Sequence, residues 1–173
     1  MRWLALPLLL AGCAEVRLPQ RSSTMHLLTD GACGLLSWPA DAVVSSGFGV
    51  RDARPHQGID LAIPEGTPVR AACAGVVTYA DDKLRGYGRL VILEHAGGLT
   101  TVYAHNEALL VATGAHVLRG QLLSRSGQTG HVTAPHLHFE VRRDGRPIDP
   151  LGVLGPRAPR SAGPLTSARR ASR

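Results

Sequence analysis

Pro135-His136-Leu137-His138-Phe139-Glu140 alternates polar and apolar side chains with a period of two, the period of an extended strand. His136 and His138 then point to one face, while Leu137 and Phe139 point to the opposite, buried one. Two imidazoles in one small volume mark a metal or catalytic centre, and Glu140 extends their face as a candidate hydrogen-bond partner. Upstream, His56-Gln57-Gly58-Ile59-Asp60 offers a nitrogen and an oxygen donor. Zinc accepts both, and its catalytic sites keep three protein ligands and one open position. The i,i+4 spacing of His56 and Asp60 also suits a helical surface pair, but Gly58 between them and the alternation of Ile59-Asp60-Leu61-Ala62-Ile63 favour a strand. If His136 and His138 both bound zinc, the centre would instead be closed, four-coordinate and structural.

Outward from these segments, Thr67 to Cys73, Gly75 to Ala80, Arg89 to Glu94, Thr100 to His105, His116 to Leu118 and Leu137 to Arg142 read as short strands separated by Gly and Pro. Gly86-Tyr87-Gly88, Gly97-Gly98 and Asp144-Gly145 are turn chemistry, the last two where hairpins reverse. No amphipathic helix of ordinary length is evident, nor a repeat of roughly 20 to 50 residues. The pattern predicts one all-β domain over 38–155, a mostly antiparallel sheet or small sandwich.

The beginning of the chain reads as an address. Met1-Arg2 is a minimal charged start, Trp3 to Leu10 is apolar, and Leu10-Ala11-Gly12-Cys13 closes the run with small residues before a cysteine. The apolar stretch is shorter than the roughly 20 residues a membrane-spanning helix needs. We read 1–12 as a signal peptide and 13–37 as a tether with little structure of its own. Leu-Ala-Gly-Cys resembles the lipobox of bacterial lipoproteins, which implies lipid attachment at Cys13 and a membrane anchor facing the periplasm. Ala14, in place of Asp, resembles an outer-membrane sorting signal. The alternative is an ordinary signal peptide in which Cys13 is incidental. With Cys13 lipidated, Cys33 and Cys73 remain as an even pair, either a disulfide of an oxidising compartment or a buried thiol at Cys73.

The formal net charge of +6 points to nucleic acid until the charges are located. Pro156 to Arg173 carries five arginines and no acid; with these and Arg2 set aside, 13 basic residues face 13 acidic ones, so the body is neutral. The tail, 156–173, is rich in Pro, Ser, Ala and Gly and reads as disordered, either simply solvated or in weak contact with anionic envelope polymers or lipid head groups. Few aromatic residues and no basic motif in the body argue against nucleic acid as a partner.

Taken in order, Trp38-Pro39, Ser46-Gly47-Phe48-Gly49-Val50-Arg51, His56 to Asp60, Gly66-Thr67-Pro68-Val69, Gly75-Val76-Val77, Gly86-Tyr87-Gly88, Tyr103-Ala104-His105, Gly127-Gln128-Thr129-Gly130 and Pro135 to Glu140 resemble the M23 (LytM/lysostaphin-type) zinc metallopeptidases. The resemblance implies a β-rich domain with a groove across the sheet and one Zn2+ on its floor. It assigns His56, Asp60 and His138 as zinc ligands, and His105 and His136 as catalytic histidines. Which of the two is the principal base stays open. Tyr103, two residues before His105, falls on the same strand face by alternation, where packing and a site role are both open. His26, His95, His116 and His131 receive no role, although His131 lies near enough to the histidine pair to touch a substrate. Two positions depart from the family pattern and bear on groove shape: Asn106 follows His105 where an apolar residue is common, and Arg125 precedes Ser126-Gly127 where a small one is.

The resemblance implies a zinc endopeptidase acting on cross-links or stem peptides of peptidoglycan in the cell envelope. Two other readings stand beside it. One is a non-enzymatic regulator of the same fold that activates cell-wall amidases through contact with an envelope protein; the presence of all five site residues counts against it. The other is an exported binding protein whose zinc only staples the fold, which a zinc without exchangeable water would mark.

Overall fold

The computed structural model describes residues 33–51 and 54–157. The signal peptide, the lipobox cysteine, most of the tether and the tail beyond Arg157 lie outside the described residues. Among the described residues twelve strands follow one another: β1 (Val43–Ser46), β2 (Gly49–Arg51), β3 (Arg54–His56), β4 (Ile59–Ala62), β5 (Pro68–Arg70), β6 (Gly75–Asp81), β7 (Arg89–Glu94), β8 (Leu99–Leu109), β9 (His116–Val117), β10 (Leu122–Ser126), β11 (Leu137–Arg143) and β12 (Arg146–Ile148). A single turn of 3-10 helix, Pro150–Gly152, follows β12. The all-β expectation holds, and the sheet is antiparallel throughout. Its order is β1-β4-β11-β8-β7-β6-β9, with β10 joining β8 to β5, β12 beside β11, and β2-β3 a separate hairpin. The sequence reading missed β1, β2, β3, β10 and β12, which are short and have no clean alternation of apolar residues.

Alternation along β11 sorts its residues as expected. Leu137, Phe139 and Val141 enter the main core. Directly across the ladders, Leu137 faces Leu61, and Phe139 faces Ile59 on one side and Tyr103 on the other. The rings of Phe139 and Tyr103 lie 5.4 Å apart. The opposite face carries His138 and Glu140 against Ala104 and Val102, and a smaller cluster of Leu90, Val102 and Ala104 lies beneath Tyr79 and Tyr87. The turn at Asp144-Gly145 closes the β11–β12 hairpin with both residues at positive φ, 48° and 76°. That is the backbone a two-residue hairpin turn with right-handed strand twist demands.

A buried polar chain crosses the core. The Ala72 amide donates to the Tyr103 hydroxyl at 2.9 Å, Thr101 Oγ1 lies 2.9 Å from that hydroxyl and 2.7 Å from His95 Nε2, and His95 Nδ1 donates to the Ala74 carbonyl at 2.8 Å. Burial holds His95 below its ordinary pKa, so the neutral ring fits this chain. The chain grips the segment that bears Cys73.

Cys33 to Ser37, assigned to the tether on sequence grounds, pack onto the body. Cys33 is bonded to Cys73, with Cα atoms 5.8 Å apart, so the bridge is the alternative that holds. Leu36 is 1 % exposed and pairs with Leu154 as a parallel bridge. Trp38 Nε1 donates to the Gly155 carbonyl at 2.8 Å, and the Arg157 guanidinium lies 3.7 Å over the Trp38 ring. Arg119 ties the same segment down by donating to Leu35 O at 2.7 Å and also to Cys33 O. Apolar burial ends the tether earlier than composition suggested. The bridge spans 40 residues of chain, and closing a loop of that size stabilises a fold by about 4 kcal/mol in the chain-entropy account. We expect the double variant Cys33→Ser, Cys73→Ser to lose about 2–4 kcal/mol of unfolding free energy in urea melts, matched by the native chain under reductant; equal stability would show that the packed segment holds without it.

Candidate metal centre

The strand register builds the centre. On β11, His138 sits directly opposite Asp60 of β4, and residues paired across an antiparallel ladder share a face. His56, at the end of β3, returns to the same place through the turn at Gln57-Gly58. A Cβ added to Gly58 would lie 2.3 Å from the Phe139 carbonyl oxygen, so only glycine lets this turn press against β11. The i,i+4 spacing of His56 and Asp60 is therefore strand–turn–strand, as expected, and not helix. His56 Nε2, Asp60 Oδ1 and His138 Nδ1 form a triangle with edges of 3.1, 2.9 and 3.2 Å.

His136 and His105 complete the cluster. His136 Nε2 lies 3.6 Å from Asp60 Oδ1, and the His105 ring centroid is 4.8 Å from that of His136 and 5.9 Å from that of His138. All five lie along an open groove of roughly 670 Å³ that Ser45, Gln57, Tyr87, His131 and Thr133 also line. His131 thus reaches the groove. Arg125 does not; it donates to the Gly66 carbonyl at 3.1 Å. Asn106 lies beneath the groove, fully buried.

Tyr103 corrects the sequence reading. Simple alternation places it with His105, but its ring enters the core against Phe139 while His105 faces His138. The cause is a bulge in β8: Val91 pairs with Tyr103 and Arg89 with Asn106, so one residue of β7 opposes two of β8. His105 takes up the extra residue with φ of 65°, a left-handed backbone that costs a residue other than glycine about 1–2 kcal/mol. The extra residue turns His105 onto the groove face.

Each of the four imidazoles has one nitrogen tied to an oxygen. His56 Nδ1 donates to Gly47 O at 2.6 Å, His105 Nδ1 to Thr129 O at 2.8 Å, and His136 Nδ1 to Ala134 O at 2.9 Å. In these three rings Nε2 is left as the basic nitrogen. His138 is the reverse: its Nε2 donates to Glu140 Oε1 at 3.0 Å, which leaves Nδ1 directed at Asp60. Glu140, fully buried, also accepts from the Tyr87 hydroxyl at 2.8 Å and from Arg142 Nε at 2.7 Å. Sequence reasoning marked Glu140 but gave no role to Tyr87 and Thr129, whose segments entered only as turn chemistry or family motifs, or to Arg142, at the end of a strand.

Burial opposes charge on Asp60, yet the hydrogen bond from His138 and the surrounding imidazoles hold its carboxyl well below the usual carboxylate range. Burial likewise disfavours the cation of His138, but the hydrogen bonds to Asp60 and Glu140 outweigh it and raise that pKa. His105 goes the other way: burial first, then the neighbouring His136 and His138, push it down to about 4, so it is neutral at pH 7.

The donor set fits zinc. Tetrahedral bonds of about 2.0–2.1 Å put ligand atoms about 3.3 Å apart, close to the edges of the His56, Asp60 and His138 triangle. Two nitrogens, one carboxylate oxygen and carbonyl or carboxylate partners on the outer imidazole nitrogens are the composition expected of a catalytic site.

A family model described as peptidase family M23 matches residues 54–150. The chain belongs to peptidase family M23. It is 44 % identical over 119 residues to a DD-carboxypeptidase/endopeptidase, Mpg, of Neisseria meningitidis, covering 65 % of this chain and 27 % of that protein. A lipoprotein NlpD/LppB homolog of Pseudomonas aeruginosa is 41 % identical, with 77 % and 44 % covered. The murein hydrolase activator NlpD of Salmonella dublin is 37 % identical, with 79 % and 35 % covered. The chain thus spans less than half the length of each of these relatives. A zinc-containing peptidase of Vibrio cholerae superposes with a TM-score of 0.63 at 34 % identity, over 68 % of this chain and 39 % of that one.

Metal binding to such a cluster displaces protons from its ligands. Because the folded pKa of His138 is raised, more of that proton is present at pH 6 than at pH 8. Calorimetry should therefore show proton release on zinc uptake and a weaker apparent affinity at pH 6 than at pH 8; an affinity unchanged between them would contradict the assignment of His138.

Proposed function

We propose that the chain is a zinc endopeptidase that hydrolyses peptide cross-links or stem peptides of peptidoglycan. The carrying observation is the convergence of the His56, Asp60 and His138 donor triangle with His105 and His136 along one groove. In this reading His56 Nε2, Asp60 and His138 Nδ1 hold one zinc ion. When bound, zinc supplies Lewis-acid polarisation of a carbonyl and a water nucleophile at neutral pH. Asp60 brings negative charge that offsets part of the cation. The Glu140 link to His138 orients the ring so that Nδ1 is the donating nitrogen.

His105 is neutral at pH 7, and its Nδ1 is committed to Thr129. Its Nε2 is the site that takes a proton from the attacking nucleophile. His136, oriented in the same way by Ala134, lies beside it. Between them the two rings carry the proton to the leaving amine, the transfer that peptide hydrolysis requires of a general acid–base pair. The neutral ring that burial enforces on His105 is the state a base needs.

The substrate class rests on the family, on a relative named as a murein hydrolase activator and on one named as a DD-carboxypeptidase/endopeptidase. The Leu10-Ala11-Gly12-Cys13 pattern, with a relative named as a lipoprotein, supports lipid anchoring at Cys13 and a periplasm-facing, outer-membrane address. In that arrangement 1–12 is removed, the tether of 13–37 shortens to the residues before Cys33 because 33–37 pack on the body, and the basic tail of 156–173 starts where Arg157 lies over Trp38. A second reading, activation of cell-wall amidases without hydrolysis, is favoured by the relative named as a murein hydrolase activator.

Mass spectrometry of cross-linked peptidoglycan fragments treated with the zinc-loaded chain separates the two. We expect new peptide termini that disappear with His138→Ala and fall by about 100-fold or more with His105→Ala, the usual contribution of a general base. A folded, zinc-loaded chain that leaves the fragments intact but stimulates an amidase would replace the first reading with the second.

A further inference from the structure

Asn106 departs from the pattern in which an apolar residue follows the histidine, and its side chain makes no contact with the groove. It is fully buried, where an amide is retained only if its hydrogen bonds are made. Both N–H groups of Asn106 Nδ2 are spent on main-chain carbonyls, Tyr103 O at 2.8 Å and Arg89 O at 2.9 Å. These flank the β8 bulge on its own strand and on β7. The Asn106 Oδ1 accepts from Ser124 Oγ of β10 at 2.7 Å. One side chain thereby pins three adjacent strands where the ladder is interrupted.

The same residue reaches His105 by a second route. The Asn106 carbonyl accepts from Thr129 Oγ1 at 2.7 Å, and the Thr129 carbonyl accepts from His105 Nδ1 at 2.8 Å. The His105 amide is anchored separately, to Tyr87 O at 2.9 Å. The left-handed backbone of His105 persists only because its surroundings over-determine it.

We infer that Asn106, locked by Ser124, is the positioning residue that holds the β8 bulge and so presents His105 to the groove with its proton on Nδ1. The inference rests on the proposed role of His105 as proton carrier. Without the amide, the Tyr103 and Arg89 carbonyls each lose the hydrogen bond that ties them across the bulge. The strand then relaxes toward regular pairing, and alternation returns the His105 ring to the face occupied by Tyr103. An apolar residue at 106 would need some other device for the same bulge.

The test compares Asn106→Leu, which keeps the branched shape of the side chain without its polar atoms, with Ser124→Ala and the native chain. Each is examined for zinc affinity, for kcat and KM on a cross-linked peptidoglycan fragment, and by nitrogen-15 NMR of the imidazoles with the His105 signals assigned. In the native chain His105 should show the Nδ1–H tautomer. In Asn106→Leu we expect zinc affinity to stay within a few-fold, KM to change little, kcat to fall on the order of 100-fold, the scale of a misplaced general base, and the His105 tautomer to become mixed. Ser124→Ala should move kcat and tautomer in the same direction by less. An Asn106→Leu protein with native kcat and an intact Nδ1–H signal overturns the inference. If that variant no longer binds zinc, Ser124→Ala decides: a reduced kcat with a mixed tautomer at native zinc affinity supports the inference, and native values of both overturn it. A native chain that binds zinc but cleaves nothing refutes the peptidase reading, while the tautomer comparison still decides whether Asn106 positions the ring.

Discussion

The pairing of β4 with β11 is the constraint on which the rest of the centre depends. It sets Asp60 opposite His138 and, one residue to either side, sets Leu61 against Leu137 and Ile59 against Phe139. A slip of β11 by one residue would send the His138 imidazole and the Glu140 carboxylate into the core and bring Leu137, Phe139 and Val141 into the groove. The same hydrophobic burial that stabilises the sheet therefore also brings together two of the proposed metal donors. The tight approach at Gly58 adds the third by turning His56 back over β11.

Four imidazoles and two carboxylates crowded under one groove are an unfavourable arrangement unless each group is paired. Here every ring has a carbonyl or carboxylate on its outer nitrogen, and Glu140 is held between His138, Tyr87 and Arg142. That pairing has opposite effects within a few ångströms. Two acidic partners favour the charged form of His138, whereas His105, whose outer nitrogen meets only a carbonyl, is driven neutral by burial. Similar side chains are thereby given different protonation behaviour, which suits one to hold a cation and the other to accept a proton.

The second half of the centre depends on a break in regularity. An unbroken β8 would place His105 in the core beside Tyr103 and leave the groove with one proposed proton carrier. The bulge, held by Asn106, inserts the residue that reverses its direction. Strain at His105 is offset by the hydrogen bonds of Asn106 over β7, β8 and β10 and by the Tyr87 and Thr129 carbonyls, so the groove face is tied both to the interior and to the loops beside it.

Some of this was legible in the residues alone. The alternation of Leu137, His138, Phe139 and Glu140, the strand-breaking turns at Gly97-Gly98 and Asp144-Gly145, and the confinement of excess positive charge to the ends are local properties of the chain, because side-chain direction in a strand follows from backbone geometry with a period of two. The grouping of His56, Asp60, His105, His136 and His138 was legible only through resemblance, since nothing local measures the distance between β3 and β11. The tertiary structure alone decided the Cys33–Cys73 bridge, the inclusion of residues 33–37 in the body, and the opposite fates of Tyr103 and His105. Each of these depends on which strands meet and where the ladder slips, and that is set by packing and hydrogen bonding between segments far apart in sequence.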